Sequence, residues 1–223
     1  MSTRVLLVRH GATELSPEDR FAGSTDVLLS EEGQRQASEL AARLSGLRLA
    51  AVYSSPLQRS LRTAEILAAP HSLAVTQIKD FREISHGRWE GLTRGEVEKS
   101  FAQEYLSWDA DPFTFAPLGG ETGLSVLARA LPALREVVLK HERQTVLIVS
   151  HKSTIRLLIG SFLGFDLREY RDRLDQQPCC LNVLDFKDPA RMRLMLFNDI
   201  SHYHDHPKTP KAVLSKSWDA LKK

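Results

Sequence analysis

Short apolar runs alternate along the chain with longer segments whose apolar residues recur every three or four positions. The short runs predict β-strands, and the longer segments predict amphipathic helices. Strands and helices that alternate in this way are typical of an α/β protein with a mostly parallel sheet. The predicted strands are Val5–Val8, Leu49–Tyr53, Leu73–Gln77, Val146–Ser150, Leu181–Phe186 and Arg193–Phe197.

Residues that favour helix N-termini mark where the helices begin. Ser30 precedes Glu31 and Glu32, two acidic residues that suit the positive end of a helix dipole. Ser55 precedes a proline, which is favoured at the first helical position. The four predicted helices begin near Ser30, Ser55, Thr122 and Ser153, and the last of them ends at about Leu163, before Gly164.

Two stretches of the chain lack such a pattern. Residues 80–120 contain scattered aromatic residues and prolines, so we expect an irregular excursion over the sheet edge that covers a site. Residues 206–223 are polar and rich in lysine, and the spacing of Leu214, Trp218 and Leu221 is compatible with a short docking helix. We therefore expect a single domain over residues 1–205, followed by a tail.

Composition narrows the class of protein. The 223 residues include 30 Lys or Arg and 28 Asp or Glu, a formal net charge of +2. This balance gives no reason to expect nucleic acid or an anionic membrane as a partner. The apolar runs are shorter than a membrane span or a signal peptide requires. Cys179 and Cys180 are adjacent, which does not indicate a disulfide framework, and we expect a cytoplasmic protein.

Polar residues of similar chemistry follow three of the predicted strands. Arg9 and His10 end the first strand, and Arg59 lies in the first helical turn after the second. His151 follows the strand that ends at Ser150. Because the carboxyl ends of parallel strands meet at one edge of a sheet, we expect these side chains to lie close together. A cluster of cations suits a dianionic phosphate, since the planar fork of arginine pairs two phosphate oxygens at once.

The residues around these junctions resemble a known family. Val8-Arg9-His10-Gly11-Ala12-Thr13 is similar to the signature of the histidine phosphatase superfamily, the phosphoglycerate-mutase-like proteins. The similarity continues in order from Val5 to about Tyr203. The other similar blocks are Phe21–Asp26, Leu29–Ala37, Tyr53–Ala64, Arg82–Thr93, Gly119–Thr122, Val149–His151 and Asn198–His202. The resemblance implies a three-layer α/β/α sandwich whose mostly parallel sheet has about six strands.

The same resemblance implies catalytic roles. His10 would attack phosphorus and become phosphohistidine. Glu83, which periodicity alone leaves as a surface carboxylate, would protonate the leaving oxygen and then activate water. Arg9, Arg59 and His151 would hold the phosphoryl oxygens. We expect neither a metal ion nor a cofactor, because the fixed positive groups would stabilise the developing charge.

The chain departs from the family pattern at two positions. Ser16 stands where many relatives carry asparagine, and it can still donate to a phosphate oxygen with a shorter reach. Lys152 stands where many relatives have glycine, and it either turns to solvent or adds a cation at the pocket rim. The expected substrate-binding residues are Arg9, Ser16, Gly23, Arg59, His151 and Lys152.

Three functions are compatible with this resemblance. The first, which we favour, is a phosphomonoesterase of the acid-phosphatase type that acts on a small phosphorylated metabolite. A homodimer is compatible with this function. The second is a phosphoglycerate mutase, but such mutases carry a longer insertion than the stretch from Gly91 to Gly119. The third is an inactive module that binds phosphate or a phosphoprotein, which would not need the site residues kept together.

One histidine pattern falls outside these functions. His202, His204 and His206 would share one face of an extended strand, which is a metal-ligand spacing. No cysteine or second carboxylate cluster accompanies them, so we interpret them as surface residues.

Overall fold

The computed structural model describes residues 2–14 and 20–203. Within these ranges it has six strands: β1 Thr3–Arg9, β2 Ala51–Ser54, β3 Val75–Gln77, β4 Thr145–Ser150, β5 Leu181–Asp188 and β6 Arg191–Asp199. The same ranges hold seven α-helices: α1 Glu31–Leu44, α2 Gln58–Ala68, α3 Arg94–Ser100, α4 Ala102–Ala110, α5 Gly123–Lys140, α6 Lys152–Leu163 and α7 Tyr170–Arg173. Each predicted strand overlaps an observed one.

The six strands form one sheet in the order β3-β2-β4-β1-β5-β6. The first four strands in this order are parallel to one another, whereas β5 is antiparallel to both of its neighbours, β1 and β6. The prediction of a mostly parallel sheet of about six strands is therefore confirmed.

Helices cover both faces of the sheet. Alternate side chains of a strand point to opposite faces, so Val5 and Leu7 of β1 pack with α5 and α6, whereas Leu6 and Val8 pack with α1 and α2. All four of these side chains are at most 2% exposed. The arrangement confirms the three-layer α/β/α sandwich, with one apolar core on each side of the sheet.

Three of the four predicted helix starts are close to the observed ones. The Ser30 and Thr122 hydroxyls accept from the backbone N–H groups of Gly33 and Ser125, at 3.1 and 3.0 Å. Helix α6 ends as predicted at Leu163, and Gly164 follows with a φ of 74°.

The cap predicted at Ser55 is wrong. Helix α2 begins at Gln58, whose backbone N–H donates to Asp26 Oδ1 at 2.7 Å. The Ser55 hydroxyl instead accepts from the Leu57 N–H, at 3.3 Å, and contacts His151. A carboxylate from a distant segment therefore caps α2, which a local pattern cannot indicate.

The expectation of an irregular segment over residues 80–120 is wrong in part, because it contains α3 and α4. Helix α3 begins with a capping box, in which Thr93 and Glu96 bond reciprocally. Helix α4 lacks a broad apolar face and is held by Tyr105 and Trp108, which pack against Phe21 in a separate aromatic cluster. This contact with residues far along the chain explains why the pattern did not predict the helix.

Several expectations concern the ends and surroundings of the domain. Cys179 and Cys180 are both buried, and neither is in a disulfide. The helices of the described ranges are too short or too polar to cross a membrane. The sheet includes strands from Thr3 to Asp199, but the boundary at residue 205 and the tail 206–223 lie outside the described residues.

Gly11, which follows His10, and Gly33 of α1 allow the two backbone segments to lie in close contact. A Cβ on Gly11 would lie 2.5 Å from the Gly33 carbonyl oxygen, and a Cβ on Gly33 would lie 2.1 Å from the Ala12 carbonyl oxygen. Both distances are far below van der Waals contact, and both obstacles are backbone atoms. Only glycine fits at either position without displacing the loop that carries His10.

This close contact predicts a stability difference between two glycine substitutions. We expect Gly33→Ala to lower the free energy of unfolding by about 1–3 kcal/mol, as overpacking does. Gly46→Ala is the matched control, since a Cβ there meets nothing within 4 Å. It should leave stability unchanged or raise it by up to about 1 kcal/mol. Urea unfolding measures both, and equal stabilities would contradict the role assigned to Gly33.

Candidate active site

The alignment of neighbouring strands places the predicted site residues together. Strands β1 and β4 are paired with Arg9 opposite Ser150, so that His10 and His151 are the next residues of each. The two imidazole centroids are 5.1 Å apart. Strand β2 flanks β4 and leads into α2, whose second residue is Arg59. The prediction that the three junctions share one sheet edge is confirmed.

His10 is held in a defined tautomer. Its Nδ1 lies 2.8 Å from the carbonyl oxygen of Gly11. Because a carbonyl oxygen can only accept a hydrogen bond, Nδ1 must carry the proton. Nε2 is then the atom with a free lone pair. Burial, followed by the positive charges of Arg59 and Arg9, holds the pKa of His10 well below its usual 6.5. The side chain is therefore a neutral imidazole in a positively charged surrounding, the state that a nitrogen nucleophile requires.

His151 is fully buried beside His10. Its Nε2 lies 2.8 Å from the Ser55 hydroxyl and 3.3 Å from the Ser60 hydroxyl. Its Nδ1 is buried and has no hydrogen-bond partner in the described part of the chain. If a serine hydroxyl donates to Nε2, Nδ1 carries a proton without an acceptor, which suits an incoming phosphoryl oxygen.

Arg59 is oriented by the loop that contains Gly23. Its Nη1 donates to the Thr25 carbonyl and its Nη2 to the Gly23 carbonyl, both at 2.7 Å. The side chain is 2% exposed, and burial lowers the pKa of Arg59, which nevertheless stays charged. Gly23 itself has a φ of 39°, and a Cβ there would lie 2.5 Å from Glu90 Oε1. Gly23 thus contacts Arg59, and its predicted contact with substrate stays a prediction.

Glu83 occupies the N-terminus of α6. Its Oε2 accepts from the Ser153 N–H at 3.1 Å, and its Oε1 accepts from the Thr154 N–H at 3.2 Å and the Ile84 N–H at 3.0 Å. Two N–H groups at the start of α6, which a helix leaves unpaired, are thus taken up by this carboxylate. The carboxylate is 8% exposed and lies just beyond His151.

An arginine that the sequence analysis missed fixes the backbone around Glu83. Arg129 of α5 donates to three carbonyl oxygens, those of Asp80, Arg82 and Glu83, at 2.6, 2.9 and 3.1 Å. It also forms a two-point ion pair with Glu121, with both distances 3.0 Å. Its position could have indicated this role, because Arg129 lies on the buried face of α5, between Val126 and Ala133.

A second missed residue, Glu90, joins two loops of the site. Its carboxylate accepts from the hydroxyls of Ser24, Thr25 and Ser85 at 2.7, 2.6 and 3.2 Å. It also accepts from the backbone N–H groups of Ser24 and His86. The role of Glu90 was not predicted because it depends on Ser24 and Thr25, which lie far earlier in the chain.

Arg9 and Lys152 both lie against the segment that contains Asp175 and Gln176. Arg9 Nη1 donates to the Gln176 carbonyl at 2.6 Å, and Arg9 Nε is buried without a partner among the described residues. Lys152 is 40% exposed, and its Nζ lies 3.6 Å from Asp175 Oδ1. Of the two alternatives for Lys152, the geometry favours a cation at the rim over one turned fully to solvent.

Some predicted positions cannot be placed. Ser16, His204 and His206 lie outside the described residues. Within residues 2–14 and 20–203, no three histidine, cysteine or acidic side chains form a group that could hold a metal ion.

Comparison with known proteins identifies the family. A family model described as the histidine phosphatase superfamily, branch 1, matches residues 5–200. The chain belongs to the histidine phosphatase superfamily. The resemblance drawn from the Arg9-His10-Gly11 region is thereby confirmed.

The relatives of this histidine phosphatase indicate its reaction. Phosphoserine phosphatase 1 of Hydrogenobacter thermophilus is 37% identical over 167 residues, which are 75% of this chain and 79% of that protein. A bifunctional protein of Mycobacterium tuberculosis is 39% identical over 206 residues, 90% of this chain and 55% of that protein. The structure of mycobacterial glucosyl-3-phosphoglycerate phosphatase matches with a TM-score of 0.81 at 28% identity, over 89% of this chain and 99% of that one. The chain is a phosphatase, a hydrolase of phosphoric monoesters.

The pKa of the two buried imidazoles predicts how they respond to pH. Burial, followed by the charge of Arg59, also lowers the pKa of His151 well below 6.5. Both imidazoles should therefore stay neutral as the pH falls from about 8 to about 6, whereas in the unfolded chain they take up protons near pH 6.5. The unfolded state then binds more protons than the folded state. The free energy of unfolding should therefore decrease as the pH falls below about 6.5. NMR of isotope-labelled histidine, with the urea-unfolded chain as control, measures the titration. A midpoint near 6.5 for folded His10 would contradict the prediction.

Proposed function

We propose that this phosphatase hydrolyses its substrate in two steps through a phosphohistidine on His10, without a metal ion. The observation that carries the proposal is the bond from His10 Nδ1 to the Gly11 carbonyl, which leaves the lone pair of Nε2 free. Burial beside Arg9 and Arg59 keeps that nitrogen unprotonated. Covalent catalysis then replaces one difficult displacement by two easier ones.

In the first step, His10 Nε2 attacks phosphorus and the bond between phosphorus and the ester oxygen breaks. Glu83, in its protonated form, gives its proton to the departing alkoxide, which leaves as an alcohol. In the second step, the Glu83 carboxylate takes a proton from water, whose oxygen attacks the phosphoryl group. The bond to His10 breaks, the lone pair returns to Nε2, and inorganic phosphate is released.

The charge on the phosphoryl oxygens is the main electrostatic demand of both steps. Arg9, Arg59 and His151 lie around His10, and each has a nitrogen that can donate a hydrogen bond in addition to those it makes within the protein. Donors fixed in advance around a water-poor site stabilise a transition state more than solvent does. Gly23, through the loop that orients Arg59, and Ser16 complete the proposed set, with Lys152 at the rim.

The proposed substrates are small phosphorylated metabolites. Named relatives act on phosphoserine, on glucosyl-3-phosphoglycerate and, in Arabidopsis thaliana, by name on 2-carboxy-D-arabinitol 1-phosphate. The net charge of +2 gives no support for nucleic acid or a membrane as partner, and a cytoplasmic location and a homodimer remain part of the proposal.

Replacing the nucleophile tests the first step. We expect His10→Ala to lower kcat for an aryl phosphate by at least about 10³-fold, measured in the presence of a chelator. His71→Ala is the control, because His71 follows the far end of α2, about 16 Å of helix away from its site end. Rapid quenching should yield an alkali-stable, acid-labile phosphoenzyme from the wild type and from His71→Ala, but not from His10→Ala. Survival of activity in His10→Ala, or a metal requirement of the wild type, would overturn the mechanism, and isomerisation without phosphate release would indicate a mutase.

Replacing the proton donor tests the role of Glu83. Glu83→Gln should lower kcat for alkyl phosphates by about 10²–10⁴-fold, because a poor leaving group needs the proton. The loss should be smaller for nitrophenyl phosphate, whose leaving group departs as an anion. Glu142→Gln, an exposed change at the opposite sheet edge, is the control. Equal losses for both kinds of ester would argue against protonation by Glu83.

A further inference from the structure

Two cations of α6 are held together beside the proposed phosphate site. Lys152 and Arg156 lie about one helical turn apart on the same helix. Lys152 Nζ is 3.6 Å from Asp175 Oδ1, and Arg156 Nη2 donates to the same oxygen at 3.1 Å. We call Lys152, Arg156 and Asp175 the cationic rim.

The rim is connected to the phosphate site through the backbone. Gln176, the residue after Asp175, accepts a hydrogen bond from Arg9 Nη1 at 2.6 Å. Arg9 in turn precedes His10, the proposed nucleophile. In-line attack by His10 puts the leaving alcohol on the side of Glu83, whose Oε2 accepts from the N–H of Ser153, the residue after Lys152. The alcohol part of the ester therefore lies next to the rim.

The positive charge of the rim is not neutralised by its own carboxylate. Two cations share Asp175, whose second oxygen accepts from Gln177 Nε2 at 2.5 Å, so the three rim side chains sum to one positive charge while Lys152 is protonated. Arg156 is 9% exposed, and its Nε has no partner in the described part of the chain. Burial, followed by the charges of Arg156 and Arg9, lowers the pKa of Lys152 to about 7. An anion at this point would relieve the repulsion between the two cations.

We propose that Lys152 and Arg156 bind a carboxylate on the alcohol part of the substrate, so that this enzyme acts on phosphate monoesters of carboxylic acids. The inference rests on the proposed function, since it concerns the same site. A carboxylate carries one negative charge and matches the net charge of the rim. A second phosphate carries up to two charges and would be only partly compensated.

A pair of esters that differ in one group tests the proposal. O-phosphoserine and O-phosphoethanolamine share the phosphate and the amine, but only the first carries a carboxylate. We expect the wild type to prefer O-phosphoserine, as the ratio of the two kcat/KM values. In Lys152→Met this ratio should fall by about tenfold or more, the effect of one charge-assisted hydrogen bond. Lys187→Met, an exposed change on β5, is the matched control and should leave the ratio unchanged.

Two further measurements separate recognition from a structural effect. The kcat/KM values for glucose 1,6-bisphosphate and glucose 6-phosphate should differ less than those of the two amine esters. A larger preference for the bisphosphate would show that the rim binds a second phosphate rather than a carboxylate. The preference for O-phosphoserine should also weaken as the pH rises through about 7, because Lys152, which faces Asp175, Arg156, Arg9 and Arg94, then loses its charge.

The outcomes distinguish this inference from the mechanism beneath it. If His10→Ala is inactive and the wild type hydrolyses both esters equally, or if Lys152→Met lowers both kcat/KM values by the same factor, the carboxylate subsite is wrong and the mechanism stands. If His10→Ala keeps the wild-type activity, the proposed mechanism is wrong, whatever the preference between the two esters.

Discussion

The parallel pairing of β1 with β4 is the constraint on which the site depends. Its register sets Arg9 opposite Ser150, and the apolar residues Val5–Val8 and Val146–Val149 of the two strands are buried between the helical layers. A shift of one residue would turn the apolar side chains of a strand to the wrong face, so the register is strongly determined. The same register places the imidazoles of His10 and His151 next to each other. The packing of the apolar core, which determines the register, therefore also sets the distance between them.

Burying so much positive charge requires compensation from the rest of the fold. Carbonyl oxygens of Gly23, Thr25 and Gln176 accept from the guanidinium groups of Arg59 and Arg9, so that these side chains are oriented without being neutralised. Glu83 is held by backbone N–H groups of α6 rather than by a cation. The acid and the cations are thus supported separately, and neither is quenched by an ion pair with the other.

The features that follow from local pattern were predictable from the sequence. Buried strands are apolar runs, and a serine before two glutamates caps a helix, so the sheet, α1 and the residues at the strand ends were all anticipated. What depended on distant contacts was not. Asp26 rather than Ser55 caps α2, and α4 owes its position to packing against Phe21. Arg129 stands out in the sequence only as a charge on the buried face of α5, because the backbone carbonyls that it contacts carry no sequence signature.

The five hydrogen bonds accepted by Glu90 have a mechanical consequence. They fasten the loop of Ser24 and Thr25, whose neighbouring carbonyls orient Arg59, to the segment of Ser85 and His86, which directly follows the Glu83 region. The carbonyls that orient Arg59 and the segment beside the proposed proton donor thus share a single anchoring carboxylate.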